Sequence, residues 1–212
     1  LCSAYFGVLL LLASYGLHHS HLVLTCLRLR KKLKAAHEIP EIPESATMPH
    51  VTVQLPLFNE ATVAVRLLEH VSRIEYPRDR FEIQVLDDST DETGQLVRAA
   101  IRRLADEPAT RDLDIVYIHR VDRTGYKAGA LDAGLKVAKG ELVAIFDADF
   151  IPQADFLRQV VGHFQEPRIG MVQTRWGHMN RDHSLFTQVQ ALMLDGHHMV
   201  ENRARFGAGH MF

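Results

Sequence analysis

The alternation of strand-like and helix-like segments after residue 50 most constrains what this chain can fold into. Short runs rich in β-branched and apolar residues predict strands at 51–55, 81–86, 113–118, 141–146 and 170–176. Apolar residues with helical spacing predict helices at 61–73, 92–105, 127–138, 153–165 and 184–203. Strands that alternate with helices in this way form a mostly parallel sheet with helices on both faces and right-handed crossovers. The predicted fold class is therefore α/β.

Polar and charged residues follow four of these strands, at the point where each strand ends. They are Asn59 and Glu60 after the first, Asp87 and Asp88 after the second, Arg120, Arg123 and Lys127 after the third, and Asp147 and Asp149 after the fourth. The carboxyl ends of the strands in an open α/β sheet line the crevice in which ligands bind. The sequence therefore predicts that these side chains share one ligand site.

The stretch AIFDADF indicates what that ligand is. Asp147 and Asp149 are two residues apart, so on an extended backbone both carboxylates point to the same side. Together they can hold one hard divalent cation through oxygen and leave positions open for water and phosphate. Such a cation removes the repulsion between the carboxylates, and Lys127 and Arg123 can neutralise the remaining phosphate charge. The pattern therefore predicts a site for a metal–diphosphate group.

Each of these residues also has a structural interpretation. Asp149 can cap the helix that follows it, because the proline in DFIPQ suits a first helical turn. Asp87 and Asp88 belong to DDSTDE, a good capping sequence, so one carboxylate can cap a helix while the other meets a base or a ribose hydroxyl. Turn, capping or solvated loop roles account equally for Asn59, Glu60 and Arg123.

Several function classes lack their signatures in this sequence. Neither G-x-G-x-x-G nor G-x-x-x-x-G-K-[ST] occurs, which disfavours dinucleotide redox chemistry and P-loop phosphoryl transfer. No G-x-S-x-G elbow supports a hydrolase. The formal net charge is −2, and setting aside the five cations between residues 28 and 34 leaves −7 on the rest of the chain. An acidic body of this kind argues against a nucleic acid as partner.

The N-terminal segment has the composition of a membrane span. Residues 1–27 contain no Lys, Arg, Asp or Glu, and the basic cluster RLRKKLK follows at once. The apolar stretches together reach the roughly 20 residues that a spanning helix needs, and flanking cations mark the cytosolic side. We expect a transmembrane helix with its basic flank at 1–34, a proline-containing linker at 35–50, and the α/β domain at 51–212. A helix that lies on the membrane surface or is buried is the alternative.

Five stretches in order carry a resemblance to a known family. They are LPLFNE, IQVLDDSTDET, GYKAGAL, AIFDADF and VQTRWGHMN. Together they resemble the family 2 inverting glycosyltransferases, and within them the membrane-embedded branch of cellulose-synthase-like and glucomannan mannosyltransferase enzymes. The match covers about residues 48–212. The resemblance implies a GT-A fold, a UDP- or GDP-sugar as donor, and a Mg²⁺ or Mn²⁺ ion.

The resemblance also implies roles for single residues. Asp88, together with Asp87, is similar to the acid that contacts base and ribose in the family, and Lys127 to the lysine near the donor diphosphate. DAD resembles the D-x-D motif, with Asp147 facing the donor and Asp149 the metal. The segment VQTRW lies where the family lines the acceptor side, which gives as candidates Gln173, Arg175 and Trp176. The tryptophan can stack on a sugar ring or serve in packing.

The resemblance has one large departure. The family's catalytic base is a carboxylate in a T-E-D-type motif after the segment that begins here as FGAGHMF, and a Q-x-x-R-W motif and more membrane helices follow. Neither motif occurs by Phe212, and the chain begins at Leu1. We therefore expect it to be part of a longer protein, with no catalytic base before Phe212. The chain alone is expected to bind nucleotide and metal without turnover.

The expected function is a membrane-associated inverting hexosyltransferase whose catalytic domain faces the cytosol. It would move a hexose from a nucleotide-diphosphate sugar to a growing β-glycan or a similar glycan or lipid acceptor. A nucleotidyltransferase that makes the sugar nucleotide on a similar fold is one alternative, although it would not need the apolar N-terminus. A non-catalytic membrane module that binds nucleotide sugar through a vestigial site is the other.

Overall fold

A computed structural model describes residues 2–31 and 48–210 of the chain. It divides into two compact units, residues 39–170 and residues 1–38 with 171–212. Most of the predicted linker, residues 35–47, lies outside the described residues.

The larger unit is built on a parallel sheet. Its strands are β1 (Val51–Leu57), β2 (Phe81–Asp87), β3 (Asp114–His119) and β4 (Leu142–Ile145). Their order across the sheet is β3-β2-β1-β4, and every pairing is parallel. Because β2 and β3 lie on one side of β1 and β4 on the other, the winding reverses between β1 and β4. Such a reversal opens a crevice at the carboxyl ends of the strands.

One helix follows each strand of this sheet. They are α2 (Ala64–Ser72), α3 (Thr93–Asp106), α4 (Tyr126–Leu135) and α5 (Phe156–Val161). The predicted helix at 153–165 is shorter as an α-helix and continues as a 3-10 turn at Gly162–Gln165. The predicted α/β class, with its parallel sheet and alternating helices, is confirmed.

An apolar core lies between one face of the sheet and helices α2 and α3. It includes Val53, Leu55, Ile83 and Val85 of the strands with Leu67, Leu68, Val97 and Leu104 of the helices. Burying each such side chain contributes about 1.5–3 kcal/mol to folding. This core holds β1 and β2 in register, and so fixes where their carboxyl ends stand.

The opposite face of the sheet carries a buried polar row under α4. Thr52, Gln54, Glu82 and Gln84 are each at most 1% exposed. Gln54 Nε2 donates to Gln84 Oε1 at 3.0 Å and to the carbonyl of Leu131 in α4 at 3.3 Å. Thr52 Oγ1 donates to Glu82 Oε2 at 2.6 Å. The hydrogen bond from Gln54 to Leu131 therefore joins α4 to the sheet, and losing any bond of this row would leave a buried polar group unpaired at about 1–3 kcal/mol.

Gly134 of α4 tests this packing. A Cβ at this position would lie 2.7 Å from Gln54 Nε2 and 2.7 Å from Gln84 Oε1. Gly134→Ala is therefore expected to destabilise the protein by about 2 kcal/mol, because the clash outweighs the gain of about 1 kcal/mol in helix propensity. Thermal unfolding followed by circular dichroism measures the change. The control is Gly196→Ala, where a Cβ would meet nothing within 4 Å; similar effects of both substitutions would contradict the expectation.

The smaller unit is helical. It contains α1 (Cys2–Arg28), α6 (Leu185–Gly196), a π-helical segment (His197–Asn202) and α7 (Arg203–Gly207). A capping box begins α6, since Thr187 N donates to Ser184 Oγ at 3.1 Å and Ser184 N donates to Thr187 Oγ1 at 2.9 Å. The predicted helix at 184–203 is thus present, with a π-helical segment inside it.

Helix α1 has the length and composition of a membrane span. Among the described residues it is the one helix that is long and apolar enough to cross a membrane, with a mean hydropathy of 1.3 and few buried residues. It contacts the π-helical segment, where His19 Nδ1 lies 3.2 Å from Glu201 Oε1 and Cys26 Sγ lies 3.6 Å from the carbonyl oxygen of Met199.

The strand predicted at 170–176 is wrong. Residues 171–178 have no regular secondary structure. The apolar pattern of GMVQTRW suits a strand, but β-structure requires a neighbouring strand to complete the ladder. No strand within 48–210 pairs with this segment.

Candidate functional site

A cavity of about 330 Å³ opens at the carboxyl ends of the strands in the larger unit. Its volume is in the range of small-molecule sites, about 300–1,000 Å³. Among the predicted site residues, those that line it are Glu60, Asp88, Arg123, Lys127, Asp147 and Asp149. Residues that follow four different strands thus share one cavity, as the sequence predicts, and α4 contributes a lysine from its first turn.

Asp147 and Lys127 form an ion pair inside this cavity. Lys127 Nζ donates to Asp147 Oδ1, and both side chains are about half exposed, at 52% and 40%. Asp149 is exposed on the same turn. The capping alternative for Asp149 is wrong, because α5 begins only at Phe156 and has no side-chain cap. The two carboxylates are therefore available to a ligand, although one of them already has a counter-ion.

Asp88 is held by Arg120. The carboxylate is 4% exposed and receives two hydrogen bonds, from Arg120 Nε at 2.8 Å and from Arg120 Nη2 at 2.5 Å. These hydrogen bonds raise the pKa of the arginine, which therefore stays charged. Its backbone N–H donates to the carbonyl of Asp87 at 3.1 Å, so β2 and β3 continue their pairing up to this point. The orientation of Asp88 is thus fixed by a charge-assisted, two-pronged contact.

Asp87 does not line the cavity. Its carboxylate is 1% exposed and accepts hydrogen bonds from the backbone N–H of Ser89 at 2.9 Å and from the hydroxyl of Tyr117. Burial, followed by the hydrogen bond and charge of Asp87, raises the pKa of Tyr117 to about 12. Neither Asp87 nor Asp88 caps α3, because that helix begins at Thr93 without a side-chain cap. Asp87 anchors the end of β2.

Asn59 holds the turn after β1. Its φ of 55° is in the left-handed region, its N–H donates to Ser89 Oγ at 2.9 Å, and its Oδ1 accepts from the N–H of Thr90 at 2.9 Å. It does not line the cavity, so its turn role is the one the geometry supports. Glu60 has both roles, because it lines the cavity and its carbonyl accepts from Val63 N and Ala64 N at the start of α2.

Arg123 is stacked on an aromatic ring. Its guanidinium carbon lies 3.2 Å from the centroid of the Phe58 ring and 5.4 Å from that of the Tyr126 ring. Its Nε is buried and, within the described part of the chain, has no hydrogen-bond partner. Arg123 lines the cavity, so its positive charge is suited to an incoming anion. The alternative of a solvated loop charge is therefore wrong.

The three acceptor-side candidates lie in the smaller unit. Arg175 Nη1 lies 3.7 Å from Asp195 Oδ1, and the Trp176 ring is 5.7 Å from the ring of His198 and 46% exposed. Gln173 is on the same irregular segment. Their role at an acceptor site stays a prediction.

The cavity fits a divalent ion whose coordination is completed by a ligand. Within residues 2–31 and 48–210, no group of three or more His, Cys, Asp and Glu side chains is placed to hold a metal alone. Asp147 and Asp149 supply hard oxygen donors, and Mg²⁺-type ions commonly bind one or two carboxylates together with substrate phosphates and water. The donor set thus fits a metal that arrives with a diphosphate.

Comparison with known proteins points to the same chemistry. A family described as "Glycosyl transferase family 2" matches residues 52–210. Glucomannan 4-beta-mannosyltransferase 2 of Arabidopsis thaliana is 42% identical over 177 residues, which are 81% of this chain and 32% of that protein. Glucomannan 4-beta-mannosyltransferase 1 of Oryza sativa subsp. japonica is 42% identical over 166 residues, which are 76% of this chain and 31% of that protein. The chain thus spans about a third of the length of the curated relatives it matches.

A solved structure shares the fold. The mannosyltransferase PcManGT of Pyrobaculum calidifontis, solved in complex with GDP-Man and Mn²⁺, has a TM-score of 0.56 and 30% identity. The alignment covers 74% of this chain and 45% of that chain. The predicted GT-A fold is confirmed by this similarity and by the parallel sheet. With a family match that spans most of its length and relatives at about 40% identity, this chain belongs to glycosyl transferase family 2.

Proposed function

We propose that the protein transfers mannose from GDP-mannose to a growing β-glycan, with inversion at the anomeric carbon. The observation that carries this proposal is the meeting of Asp88, Arg123, Lys127, Asp147 and Asp149 in one cavity at the reversal of the sheet. The names of the relatives support mannose as the sugar, and the GDP-Man in the PcManGT structure supports GDP as the nucleotide. Family membership favours sugar transfer over nucleotidyl transfer.

Asp147 and Asp149 would hold a divalent ion, Mn²⁺ or Mg²⁺. When bound, that ion stabilises negative charge on the departing nucleoside diphosphate. Mn²⁺ in the PcManGT structure supports the presence of such an ion.

The cations of the cavity would act on the same diphosphate. The ammonium of Lys127 and the guanidinium of Arg123 would donate to phosphate oxygens, where charge develops as the sugar leaves. The ring of Phe58, stacked on Arg123, holds that guanidinium in place before the donor binds. Asp88, already oriented by Arg120, would accept a hydrogen bond from the base or the ribose.

The other half of the reaction would use parts of the protein outside this cavity. A carboxylate that follows Phe212 would take the proton of the acceptor hydroxyl. Gln173, Arg175 and Trp176 would line the acceptor side, and α1 would anchor the protein in a membrane with the sheet on the cytosolic side.

Titration calorimetry with GDP-mannose and UDP-glucose, each with and without Mn²⁺ or Mg²⁺, tests the proposal. We expect GDP-mannose to bind at least about tenfold more tightly than UDP-glucose, and only with a divalent ion, because the diphosphate and the carboxylates share it. The control is Asp155→Asn, which replaces an exposed aspartate that does not line the cavity. The donor affinities and their metal dependence should be the same in this variant as in the wild type. Equal, metal-independent binding of both donors would contradict the proposal.

A further inference from the structure

Arg120 joins two parts of the cavity wall without lining the cavity itself. The same guanidinium that binds Asp88 also donates to the carbonyl of Tyr126 at 3.0 Å and to the carbonyl of Thr124 at 3.3 Å. The arginine is 17% exposed. One side chain therefore connects the end of β2 with the turn that begins α4.

That turn has an unusual backbone. Gly125 has a φ of 77° and Tyr126 a φ of 49°, and a non-glycine residue rarely adopts the left-handed region. A conformation of this kind persists when surrounding contacts hold it. The hydrogen bond from Arg120 to the carbonyl of Tyr126 is such a contact, and the Asx turn in which the N–H of Thr124 donates to Asp122 Oδ1 at 2.9 Å is another.

The turn determines where the cavity's cations stand. Arg123 precedes Gly125 and stacks on Phe58, while Lys127 follows Tyr126 and reaches Asp147. A change in the backbone between them would move both side chains at once. Arg120 thus couples the position of Asp88 to the positions of these two cations.

We propose that Arg120 is a positioning residue for the donor diphosphate: it acts through the turn at residues 124–126, which it fixes to Asp88 so that Arg123 and Lys127 face the phosphates. The inference rests on the proposed function. It assigns to Arg120 no direct contact with the donor, because the arginine is absent from the cavity wall. Lysine cannot replace it, because one ammonium cannot make the two-pronged contact and reach both carbonyls.

The test compares GMP with GDP, both titrated in Mn²⁺ against the full chain in detergent. The ratio of the two dissociation constants measures what the second phosphate contributes. We expect a ratio of about 100 for the wild type, since two charge-assisted contacts depend on the diphosphate. Arg120→Lys should reduce the ratio to about 10 or less. Arg103→Lys is the matched control, because Arg103 also joins two elements by an ion pair, to Glu69, and lies outside the cavity wall; its ratio should stay at the wild-type value.

A double-mutant comparison separates positioning from direct contact. In a background of Arg123→Gln with Lys127→Met, Arg120→Lys should lower the ratio no further, because its effect passes through those two side chains. A further drop of the same size as in the wild type would show direct contact and overturn the inference. Chemical rescue gives a second measurement. Methylguanidine at millimolar concentration should restore part of the ratio in Arg120→Ala. If Arg120→Ala fails to fold, the comparison with Arg120→Lys still tests the inference.

Two outcomes distinguish this inference from the function on which it rests. If the wild type binds neither nucleotide in Mn²⁺, the proposed function fails. If the wild type shows the diphosphate preference but Arg120→Lys retains it, or loses GMP and GDP affinity by the same factor, only the role of Arg120 is overturned.

Discussion

Asp149→Asn is expected to lower kcat/KM for sugar transfer by about 10³-fold, measured with the full-length enzyme in detergent. Asn keeps the shape of the side chain and removes the charge that a divalent ion requires. The carboxylate is exposed at the cavity and, in contrast to Asp147, forms no ion pair with a lysine of the described residues. Losing the electrostatic stabilisation of the leaving diphosphate removes several kcal/mol from the transition state, which corresponds to this factor.

The metal dependence of the variant should identify the cause. Saturating Mn²⁺ is expected to restore part of the rate, because Asp147 would still offer the ion a carboxylate. The thermal stability should remain within about 1 kcal/mol of the wild type, as for other exposed substitutions. Activity within threefold of the wild type at all metal concentrations would exclude Asp149 as a metal ligand.

Lys127→Met should change two affinities in opposite directions. Binding of GDP-mannose in saturating metal should weaken by about 10–100-fold, since a hydrogen bond to a charged group contributes about 1.5–3 kcal/mol. Binding of Mn²⁺ alone should tighten, because the ammonium of Lys127 now pairs with Asp147 and competes with a cation for that carboxylate. Methionine has nearly the length of lysine and no charge, so packing changes little.

Electron paramagnetic resonance of free Mn²⁺ measures the second affinity without the donor. Lys136→Met is the matched control, because Lys136 forms an exposed ion pair with Asp132 at 2.8 Å in the same region of the chain and lies outside the cavity wall. Neither affinity should change in that variant. If Lys127→Met weakened both Mn²⁺ and GDP-mannose binding, the ammonium of Lys127 would not compete with the metal ion for the carboxylate of Asp147.

The site was largely predictable because parallel strands align their carboxyl ends. That rule places Asp88, Lys127, Asp147 and Asp149 together before any coordinates are known. It does not resolve neighbours such as Asp87 and Asp88, because adjacent residues at a strand end point to opposite sides. The structure resolves them, because Asp87 contacts Tyr117 inside the protein and Asp88 lines the cavity.

Arg120 could have been assigned from register. β2 and β3 pair in parallel with Asp87 opposite His119, so the next residue of each strand, Asp88 and Arg120, also meet. The register between β2 and β3 cannot be read from the sequence, since pairing shifted by one residue is sterically possible. The hydrogen bonds from Arg120 to the carbonyls of Thr124 and Tyr126 depend on a left-handed backbone, which no sequence pattern here indicates.

The sequence does contain a signal for the polar row under α4. Gln54 and Gln84 each stand at the fourth position of their strands, so an in-register pair could have been inferred. The error at 170–176 had the opposite origin. The composition of this segment favours a strand, but β propensity alone does not supply the partner strand that a sheet requires.

The buried amides of Gln54 and Gln84 have a consequence for how this enzyme can adapt. An apolar interface lets a helix slide by a fraction of a turn, whereas the hydrogen bond from Gln54 to the carbonyl of Leu131 restricts the height of α4 above the sheet. The distance that the side chain of Lys127 extends into the cavity is therefore set by how α4 packs on the sheet. Descendants selected to accept a bulkier or smaller sugar nucleotide should acquire their changes in the loops after β1 and β4, and leave positions 54, 84 and 134 untouched.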